Sequence, residues 1–361
     1  MSLTVLSVAF PFAAVGPHAV GGAEKILTDL DEALTAAGHR SVVVACEGSR
    51  TAGELVSFPI PQEETVTEAV RRDVQRRCQA AIDRALEAYS VDLVHLHGMD
   101  FDAYRVPEDV PVLVTLHLPL AWYRQEALAR WRGRAVFACV SESQRRTGGA
   151  ALAGLADEVV VVENGVAIPE RWNQGEREPF AVVLGRICPE KNQHEALDAG
   201  SMAGVAVWIG GHTFPYREHQ EYFSDKIAPR LQSNGAGPQH RFLDSVPPHD
   251  KRELLSRARC LLHPTRAPET SSLVAMEAMA AGTPVIAYRS GALEDIVEHG
   301  VTGFLVDNVR EMAEAIGNVG HISPSACRSS AERRFSRERM VGAYLNLYGQ
   351  MARRAAKVAH A

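Results

Sequence analysis

Two glutamates separated by seven residues, Glu269 and Glu277, lie in the carboxyl-terminal third of the chain. Leu273–Ala281 is apolar apart from Glu277, which predicts a helix that is buried on nearly all sides. A carboxylate in such a helix needs a partner, because an unpaired buried charge is costly. The pattern therefore indicates either a basic neighbour or a hydroxyl-rich ligand at Glu277.

The residues just before this helix, Thr270, Ser271 and Ser272, are of the types that cap helix starts. They place Glu269 in the preceding loop and leave several backbone N–H groups directed away from the helix. Such a helix start favours an anion. Gly282 and Pro284 then end the helix ahead of the next predicted strand.

Two basic residues follow another predicted strand, which ends at Leu184. Arg186 and Lys191 leave this strand end together and are typical of a diphosphate clamp, with a solvated surface pair as the alternative. Gly210 and Gly211 follow the next predicted strand. They indicate either close approach of a nucleotide or a simple turn.

The first half of the chain has a similar glycine loop. Gly21 and Gly22 stand between the first predicted strand and a helix, where backbone can approach a phosphate. A flexible turn is the alternative, because this loop lacks both the G-x-G-x-x-G fingerprint and the Lys-Ser/Thr of a P-loop. His117 closes a later strand, a position that a structural histidine can also occupy.

Together these motifs resemble the retaining, nucleotide-sugar-dependent glycosyltransferases of the GT-B fold, often called family 4. The resemblance implies that Glu269 lies near the donor sugar hydroxyls and that Glu277 holds the nucleotide ribose. It also implies that the backbone N–H groups of Leu273 and Val274 bind the diphosphate. Many members have Gly-Phe-Gly after the first glutamate, whereas this chain has Thr270–Ser272.

The same resemblance extends to the other motifs. Arg186 and Lys191 match the family's Gly-Arg-x4-Lys pattern, which implies that they stabilise the leaving group. Gly21 and Gly22 match the family's Gly-Gly loop at the site of the sugar donor. His117 matches a Thr-apolar-His segment, which favours a contact with the donor sugar or the leaving phosphate, and His97 would border the acceptor pocket.

The predicted activity is transfer of a sugar from a nucleoside diphosphate sugar, with UDP as the expected nucleotide, to a hydroxyl-bearing acceptor. We expect retention of configuration, no metal, and no cofactor besides the donor. A nucleotide-sugar epimerase, a sugar phosphorylase and a non-catalytic sugar-nucleotide-binding protein remain alternatives. A dehydrogenase is disfavoured, since no predicted strand is followed by the dinucleotide glycine fingerprint.

Composition narrows the class of protein further. The chain has 361 residues, a net charge of -6 and 46% hydrophobic residues, which gives no global support for nucleic-acid binding. Its six cysteines are scattered without a C-x-x-C pair, which favours structural thiols over a metal site and predicts the reducing cytoplasm. No apolar run is long enough to span a membrane. Arginines on the predicted helix Thr67–Tyr89 indicate a solvated face, with peripheral membrane contact as the alternative.

The elements that must position these residues alternate between short β-branched runs and helical stretches. This alternation predicts parallel sheets with helices on both faces, hence an α/β fold. The GT-B resemblance implies two facing, doubly wound, Rossmann-like domains with a cleft between them. We expect an acceptor-side domain over residues 1–170 and a donor domain over 178–339, joined by a polar linker, Pro169–Pro179, with a last helix at about 340–361 packing back on the first domain.

Overall fold

The structure is a computed structural model that describes residues 2–19, 21–61, 66–155, 158–232 and 237–359. Val20, inside the predicted glycine loop, and the last two residues of the predicted C-terminal helix lie outside these ranges. The chain forms two compact units. Unit 1 comprises Met1–Asn164 and Glu338–Ala361, and unit 2 comprises Gly165–Arg337.

The predicted linker, residues 169–179, lies within unit 2. The Arg177 guanidinium donates to the carbonyl oxygen of Ser256 at 2.7 Å and to Thr283 Oγ1 at 2.6 Å. Trp172 lies beneath the guanidinium of Arg328. A polar segment that looks like a linker is therefore held to its unit by hydrogen bonds that composition does not reveal.

Unit 1 contains a sheet of seven parallel strands in the order β3-β2-β1-β4-β5-β6-β7. The chain winds outward from β1 in one direction and from β4 in the other, so the order reverses between these two strands. Ligands of doubly wound sheets bind at such a switch point, beyond the carboxyl ends of the strands. The strands are β1 Thr4–Val8, β2 Arg40–Cys46, β3 Glu54–Phe58, β4 Leu93–Leu96, β5 Val112–Leu116, β6 Ala135–Cys139 and β7 Val159–Val161.

Strand β3 was not predicted. Its first four residues are exposed or half-buried and only Phe58 is buried, because it is the edge strand of the sheet. Glu54 and Ser57 interrupt the apolar pattern by which the buried strands were recognised. The helices of unit 1 are α1 Gly22–Ala36, α2 Glu68–Ala88, α3 Gln125–Arg130, α4 Glu142–Thr147 and α13 Arg337–Ala359, the last beginning one residue before the unit boundary.

Unit 2 contains a sheet of six parallel strands in the order β10-β9-β8-β11-β12-β13. Here the order reverses between β8 and β11, so the segments that follow these two strands should form the site. The strands are β8 Glu178–Leu184, β9 Ala206–Gly210, β10 Arg241–Phe242, β11 Ala258–His263, β12 Val285–Tyr288 and β13 Gly303–Val306.

Alternate side chains of the unit 2 strands enter different cores. Val182 of β8 packs in one apolar cluster and Val183 in another, as expected for a sheet covered by helices on both faces. The predicted doubly wound, parallel α/β architecture is confirmed in each unit. The helices of unit 2 are α5 Gln193–Ala203, α6 Arg217–Tyr222, α7 Ala228–Leu231, α8 Pro248–Arg257, α9 Leu273–Ala280, α10 Leu293–Ile296, α11 Val309–Asn318 and α12 Pro324–Phe335.

The last helix, α13, is tied to the sheet of unit 1 by hydrogen bonds. The hydroxyl of Tyr348 lies 2.8 Å from His95 Nδ1, and the hydroxyl of Tyr344 lies 3.1 Å from Thr115 Oγ1. All four of these residues are buried. Among the described residues, no helix is both long and apolar enough to cross a membrane.

Candidate active site

The switch point of unit 2 brings together two of the predicted site residues. Lys191 lies in the segment after β8, Glu269 lies in the segment after β11, and their side chains form an ion pair. The side chains are 26% and 13% exposed, so the pair is largely shielded from water and its charges interact more strongly than at the surface. A cation and an anion that were predicted separately thus form one ion pair.

The loop that carries Glu269 is held in place by backbone contacts on both sides. Asn192 Nδ2 donates to the carbonyl oxygen of Pro264 at 3.2 Å, and Thr265 Oγ1 donates to that of Glu190 at 3.0 Å. On the other side, the N–H of Ala292 donates to the carbonyl oxygen of Glu269 at 2.8 Å. These contacts fix the backbone that carries the Glu269 side chain.

The close contact between Ala292 and Glu269 is possible because residue 291 is a glycine. Gly291 has a φ of 56°, and a Cβ added there would lie 2.3 Å from the carbonyl oxygen of Glu269. Only a glycine fits both this backbone conformation and this contact. The packing of Glu269 therefore depends on a residue in the segment after β12, which the sequence did not single out.

The electrostatics of Glu269 favour its charged form. Burial is the largest single effect and raises the pKa of this carboxyl, but the charge of Lys191, the interaction with His263, the hydrogen bond to Lys191 and the charge of Arg186 together outweigh it. The net effect is a pKa below the usual range. Glu269 is therefore a carboxylate at neutral pH.

His263 is a site residue that the sequence analysis missed. It is the last residue of β11, its Nε2 lies 3.9 Å from Glu269 Oε1, and Ser272 Oγ lies 2.9 Å from the same nitrogen. Burial lowers the pKa of His263 to about 4, so the imidazole is neutral at physiological pH. Its place at a strand end beside the switch point was the signal that could have found it.

Helix α9 begins where the sequence predicts. Ser272 is the N-cap residue, and its hydroxyl accepts from the N–H of Ala275 at 3.4 Å. Leu273 and Val274 are half-buried and occupy the first turn, where helix geometry gives backbone N–H groups no partner within the helix. The predicted apolar surroundings are present too, since five residues of this helix are buried: Ala275, Met276, Ala278, Met279 and Ala280.

Glu277 has the basic neighbour that its apolar surroundings require. Lys251 of α8 donates to Glu277 Oε1 at 2.9 Å and lies 2.7 Å from Oε2. Both side chains retain some exposure, 27% for Lys251 and 13% for Glu277. The sequence left a cation or a ligand open as the partner of Glu277, and the structure shows the cation, with Glu277 Oε2 itself buried.

Arg186 is the most accessible member of the group, with 45% of its side chain exposed. Its guanidinium lies 3.8 Å from Glu190 Oε1, a loose contact that leaves its donors available to water or a ligand. Its charge acts on Glu269. The cations of the predicted clamp, Arg186 and Lys191, therefore share one carboxylate as neighbour.

Gly210 and Gly211 have a structural reason to be glycines. A Cβ at Gly211 would lie 1.8 Å from the carbonyl oxygen of Gly185, and one at Gly210 would lie 2.6 Å from a methyl group of Val246. Close approach of backbone to backbone at the ends of β8 and β9 therefore explains Gly211 without any ligand.

In unit 1 the predicted glycine loop precedes α1 as expected, with Gly21 as the N-cap and Gly22 as the first helical residue. The buried carboxyl of Glu24 lies against Gly21, where an added Cβ would meet Glu24 Oε2 at 1.9 Å. Burial raises the pKa of Glu24. An acidic side chain thus already occupies part of the helix start that was predicted to receive a phosphate.

Three histidines cluster at the carboxyl ends of β4 and β5, with His95 and His97 buried and His117 half-buried. His97 Nδ1 lies 3.1 Å from His117 Nε2, and the rings of His95 and His97 are 3.8 Å apart. Burial lowers the pKa of His117 to about 4 and holds the pKa values of His95 and His97 well below their usual range. Among the described residues, His97 Nε2 is buried without a hydrogen-bond partner. The cluster is neutral and can donate or accept hydrogen bonds, but it carries no charge.

Three arginines of α2 are engaged with carboxylates of the same helix. Arg76 and Arg77 pair with Asp73 at 2.8 and 2.7 Å, and Arg71 lies 3.9 Å from Glu68. These are exposed pairs of the kind that contribute little to stability. They fit the predicted solvated face.

Two family models match adjacent parts of the chain. The Glycosyltransferase Family 4 model matches residues 20–168, and the Glycosyl transferases group 1 model matches residues 167–329. The chain belongs to the family 4-like glycosyltransferases of the GT-B fold. The predicted family is therefore confirmed.

Curated relatives are named for transfer to inositol compounds. D-inositol 3-phosphate glycosyltransferase of Mycolicibacterium smegmatis is 34% identical over 46% of this chain and 39% of its own length, so the match spans well under half of that relative. Phosphatidyl-myo-inositol mannosyltransferase of Mycobacterium leprae is 27% identical over 79% of each chain.

Solved structures resemble the whole chain in fold. Sucrose-phosphate synthase of Thermosynechococcus elongatus superposes with a TM-score of 0.77 at 18% identity, covering 96% of this chain and 98% of that one. Anabaena HepE in complex with UDP-glucose gives a TM-score of 0.73 at 20% identity, covering 96% and 100%. At these identities the likeness establishes the fold, which is the predicted GT-B fold.

Proposed function

We propose that this glycosyltransferase moves a sugar from a nucleoside diphosphate donor to a hydroxyl-bearing acceptor with retention of configuration. The observation that carries the proposal is the Lys191–Glu269 ion pair at the switch point of unit 2. A cation beside a helix start suits a diphosphate, and a charged carboxylate suits sugar hydroxyls. In this proposal, the group that binds the diphosphate lies next to the group that binds the sugar.

The leaving diphosphate gains negative charge as the anomeric C–O bond breaks, so the catalytic requirement is electrostatic. Arg186 and Lys191 supply full positive charges, and the N–H groups of Leu273 and Val274 supply the positive end of the α9 dipole. In this proposal no Mg²⁺ or Mn²⁺ bridges the diphosphate, because these groups take that role.

Glu269 changes partner in this scheme. In the structure its carboxylate pairs with Lys191. With donor bound, Lys191 turns to the phosphate and Glu269 accepts hydrogen bonds from the sugar hydroxyls. The exchange keeps each buried charge compensated in both states, which a buried ion pair requires.

Glu277 is proposed to hold the ribose of the nucleotide. Its carboxylate is already paired with Lys251, yet it has four lone-pair sites and retains 13% exposure, so it can also accept from ribose hydroxyls. Gly210 and Gly211 remain proposed nucleotide neighbours, although packing alone explains Gly211.

In unit 1 we propose functional roles for Gly21, Gly22, His97 and His117. A neutral His117 would contribute a hydrogen bond to the donor sugar or leaving phosphate. His97, whose Nε2 has no partner among the described residues, would border the acceptor pocket. All six cysteines are free and buried, which supports a reducing, cytoplasmic location.

UDP is the first nucleotide to test, because HepE was solved with UDP-glucose. Inositol phosphates are the first acceptors to test, because curated relatives are named for inositol compounds. The experiment is a thermal-shift screen of UDP-, GDP-, ADP- and dTDP-sugars, since a bound donor raises the melting temperature. The selected donor is then incubated with acceptors and the anomeric configuration of the product is read by NMR.

The outcomes separate the alternatives. Transfer with retained configuration and without added divalent metal supports the proposal. Isomerisation of the donor without acceptor indicates an epimerase, and a reaction that requires inorganic phosphate indicates a phosphorylase. Tight nucleotide binding without turnover on any acceptor indicates a binding protein. Each of the last three results would overturn the proposed transfer.

A further inference from the structure

A cysteine, a glutamate and a histidine gather beside the donor-site residues of unit 2. Cys188 and Glu190 lie in the segment after β8, and His219 lies in α6, about thirty residues further along. One potential ligand atom of each, Sγ, a carboxylate oxygen and a ring nitrogen, lies within 4.8 Å of the other two. No role in the proposed transfer involves these three side chains.

The Glu190 carboxylate of the cluster interacts with the Cys188 thiol and lies 3.8 Å from the Arg186 guanidinium. His219 is 7% exposed, and among the described residues its Nδ1 is buried without a hydrogen-bond partner. Cys188 Sγ lies 3.6 Å from the carbonyl oxygen of Arg186, a weak thiol contact. A buried polar atom without a partner is costly, and a bound ion is one of the ways in which it is satisfied.

The surrounding rings hold the imidazole in place. The ring of His219 lies 5.2 Å from that of Tyr216 and 6.5 Å from that of Phe214, both in edge-on arrangements. A ligand that is held in one orientation by its packing pays little entropy when it binds a metal. The thiol is equally fixed, because Cys188 is buried.

The geometry points to a binding site for one zinc ion, with Cys188, Glu190 and His219 as its three protein ligands and water in the fourth position. Sulfur, imidazole nitrogen and carboxylate oxygen are the donor types that Zn²⁺ takes in tetrahedral sites, and the mixed set is too soft for Mg²⁺ or Ca²⁺. Contraction of the ligand atoms by less than about 1.5 Å brings them to zinc-bound spacing.

Metal binding requires the thiolate, so the thiol proton of Cys188 is released to solvent as the Zn–S bond forms. Without metal, burial raises the pKa of Cys188 to about 12, and the neighbouring charge of Glu190 acts in the same direction. A divalent ion reverses this balance because it is the largest local charge. Zinc uptake is therefore accompanied by proton release and weakens as pH falls.

The ion would join α6 to the segment that carries Arg186 and Lys191. It would act on the position of this segment rather than on the diphosphate, so the inference is compatible with transfer that needs no Mg²⁺ or Mn²⁺. It depends only on the residues of unit 2 and stands even if the proposed transfer fails.

Cobalt is the probe for this site, because Co²⁺ replaces Zn²⁺ and reports thiolate ligation by a charge-transfer band in the near ultraviolet. The reduced, chelator-treated full chain is titrated with Co²⁺ and then with Zn²⁺. We expect a saturable band at one ion per chain that Zn²⁺ abolishes, and a rise in melting temperature with Zn²⁺. A missing band, or binding without saturation, would overturn the site.

Variants test the ligands individually. Cys188→Ser should abolish the band, and Glu190→Gln, a conservative change at a half-buried position, should weaken cobalt affinity about tenfold or more. The matched control is Cys46→Ser, at another buried cysteine, which should leave the band unchanged. A band that survives Cys188→Ser, or an affinity unaffected by Glu190→Gln, would show that the ion binds elsewhere.

Discussion

The two units both bury polar side chains at the carboxyl ends of their central strands, but they handle charge in opposite ways. In unit 2 half-buried ions form pairs, Lys191 with Glu269 and Lys251 with Glu277, and the neutral His263 lies beside the first pair. In unit 1 they are neutral histidines, and burial lowers the pKa of His117 to about 4. Both arrangements avoid an uncompensated buried charge.

Because of this difference, the two units suit different ligand groups. A pair of opposite charges can exchange partners when a charged ligand arrives, which suits the diphosphate of a donor. A neutral cluster cannot stabilise a diphosphate by charge, but it can orient hydroxyl groups by hydrogen bonds. Acidic Glu24 at the start of α1 adds to this contrast, because it disfavours an anion there unless it is protonated.

We expect the largest effect on turnover from removing the positive charge of Lys191. Lys191→Ala should lower turnover about a hundredfold or more, as loss of a preorganised charge donor does. Arg186→Ala should act in the same direction. The measurement is the initial rate at saturating donor and acceptor, and exposed Lys226→Ala is the control that should keep full activity. Unchanged turnover in both variants would contradict the clamp.

Next in size is a comparison of two glycines that were predicted as ligand-approach sites. Gly211→Ala places a Cβ against rigid backbone and should destabilise the protein by about 3 kcal/mol. Gly21→Ala meets only the movable carboxyl of Glu24 and should cost less. Denaturant unfolding measures both. Gly317→Ala, which meets no atom within 4 Å, should be close to neutral. Equal losses at Gly211 and Gly21 would contradict the packing argument.

Glu277→Ala should weaken nucleotide binding about tenfold, or about 1.4 kcal/mol, by removing the proposed ribose acceptor. Lys251→Ala breaks the same ion pair but keeps the carboxylate, so it should affect affinity less. Calorimetric titration with the nucleotide and thermal unfolding distinguish the two roles. Normal affinity with a lowered melting temperature in Glu277→Ala would make this residue purely structural.

The smallest effect is a difference in pH response. His117 titrates near pH 4 when folded and near 6.5 when unfolded, so the unfolded state takes up a proton first as pH falls. Its contribution to stability is complete above about pH 6.5 and is lost down to about pH 4. The contribution of Glu269, whose folded pKa is lowered, is lost only at more acidic pH, as pH falls through that folded pKa.

Urea unfolding at several pH values measures this response. His117→Asn should flatten the slope between about pH 6.5 and 4 by up to about 1.4 kcal/mol per pH unit, the value for one proton. The control is exposed His249→Asn, which should leave the slope unchanged. A slope that His117→Asn does not alter would show that this histidine titrates normally.

Much of the fold followed from the sequence because its strands are buried on both faces. β5, for example, is apolar apart from Thr115, and short apolar runs of this kind mark strands that are buried on both faces. β3 was not predicted, because it is a largely exposed edge strand. The attachment of the polar segment 169–179 to unit 2 was not predicted either, because it depends on side-chain hydrogen bonds that residue spacing does not encode.

The site was predictable only in part, for a similar physical reason. Glu277 in an apolar helix required a partner, and the structure shows Lys251. The pairing of Lys191 with Glu269 could not be read from the sequence, because it depends on the neighbouring positions of β8 and β11 in the sheet. His263 and the Cys188–His219 approach depend on the same three-dimensional arrangement.

The central claim is that Lys191 serves the diphosphate and that Glu269 is its partner only while the donor is absent. Isothermal titration of the nucleoside diphosphate selected by the thermal-shift screen tests it, with wild type, Lys191→Ala and Glu269→Gln compared. We predict that Lys191→Ala weakens binding at least about tenfold, whereas Glu269→Gln binds as tightly as wild type or more tightly because Lys191 is released. Wild-type affinity in Lys191→Ala, or an equal loss in both variants, would contradict the account.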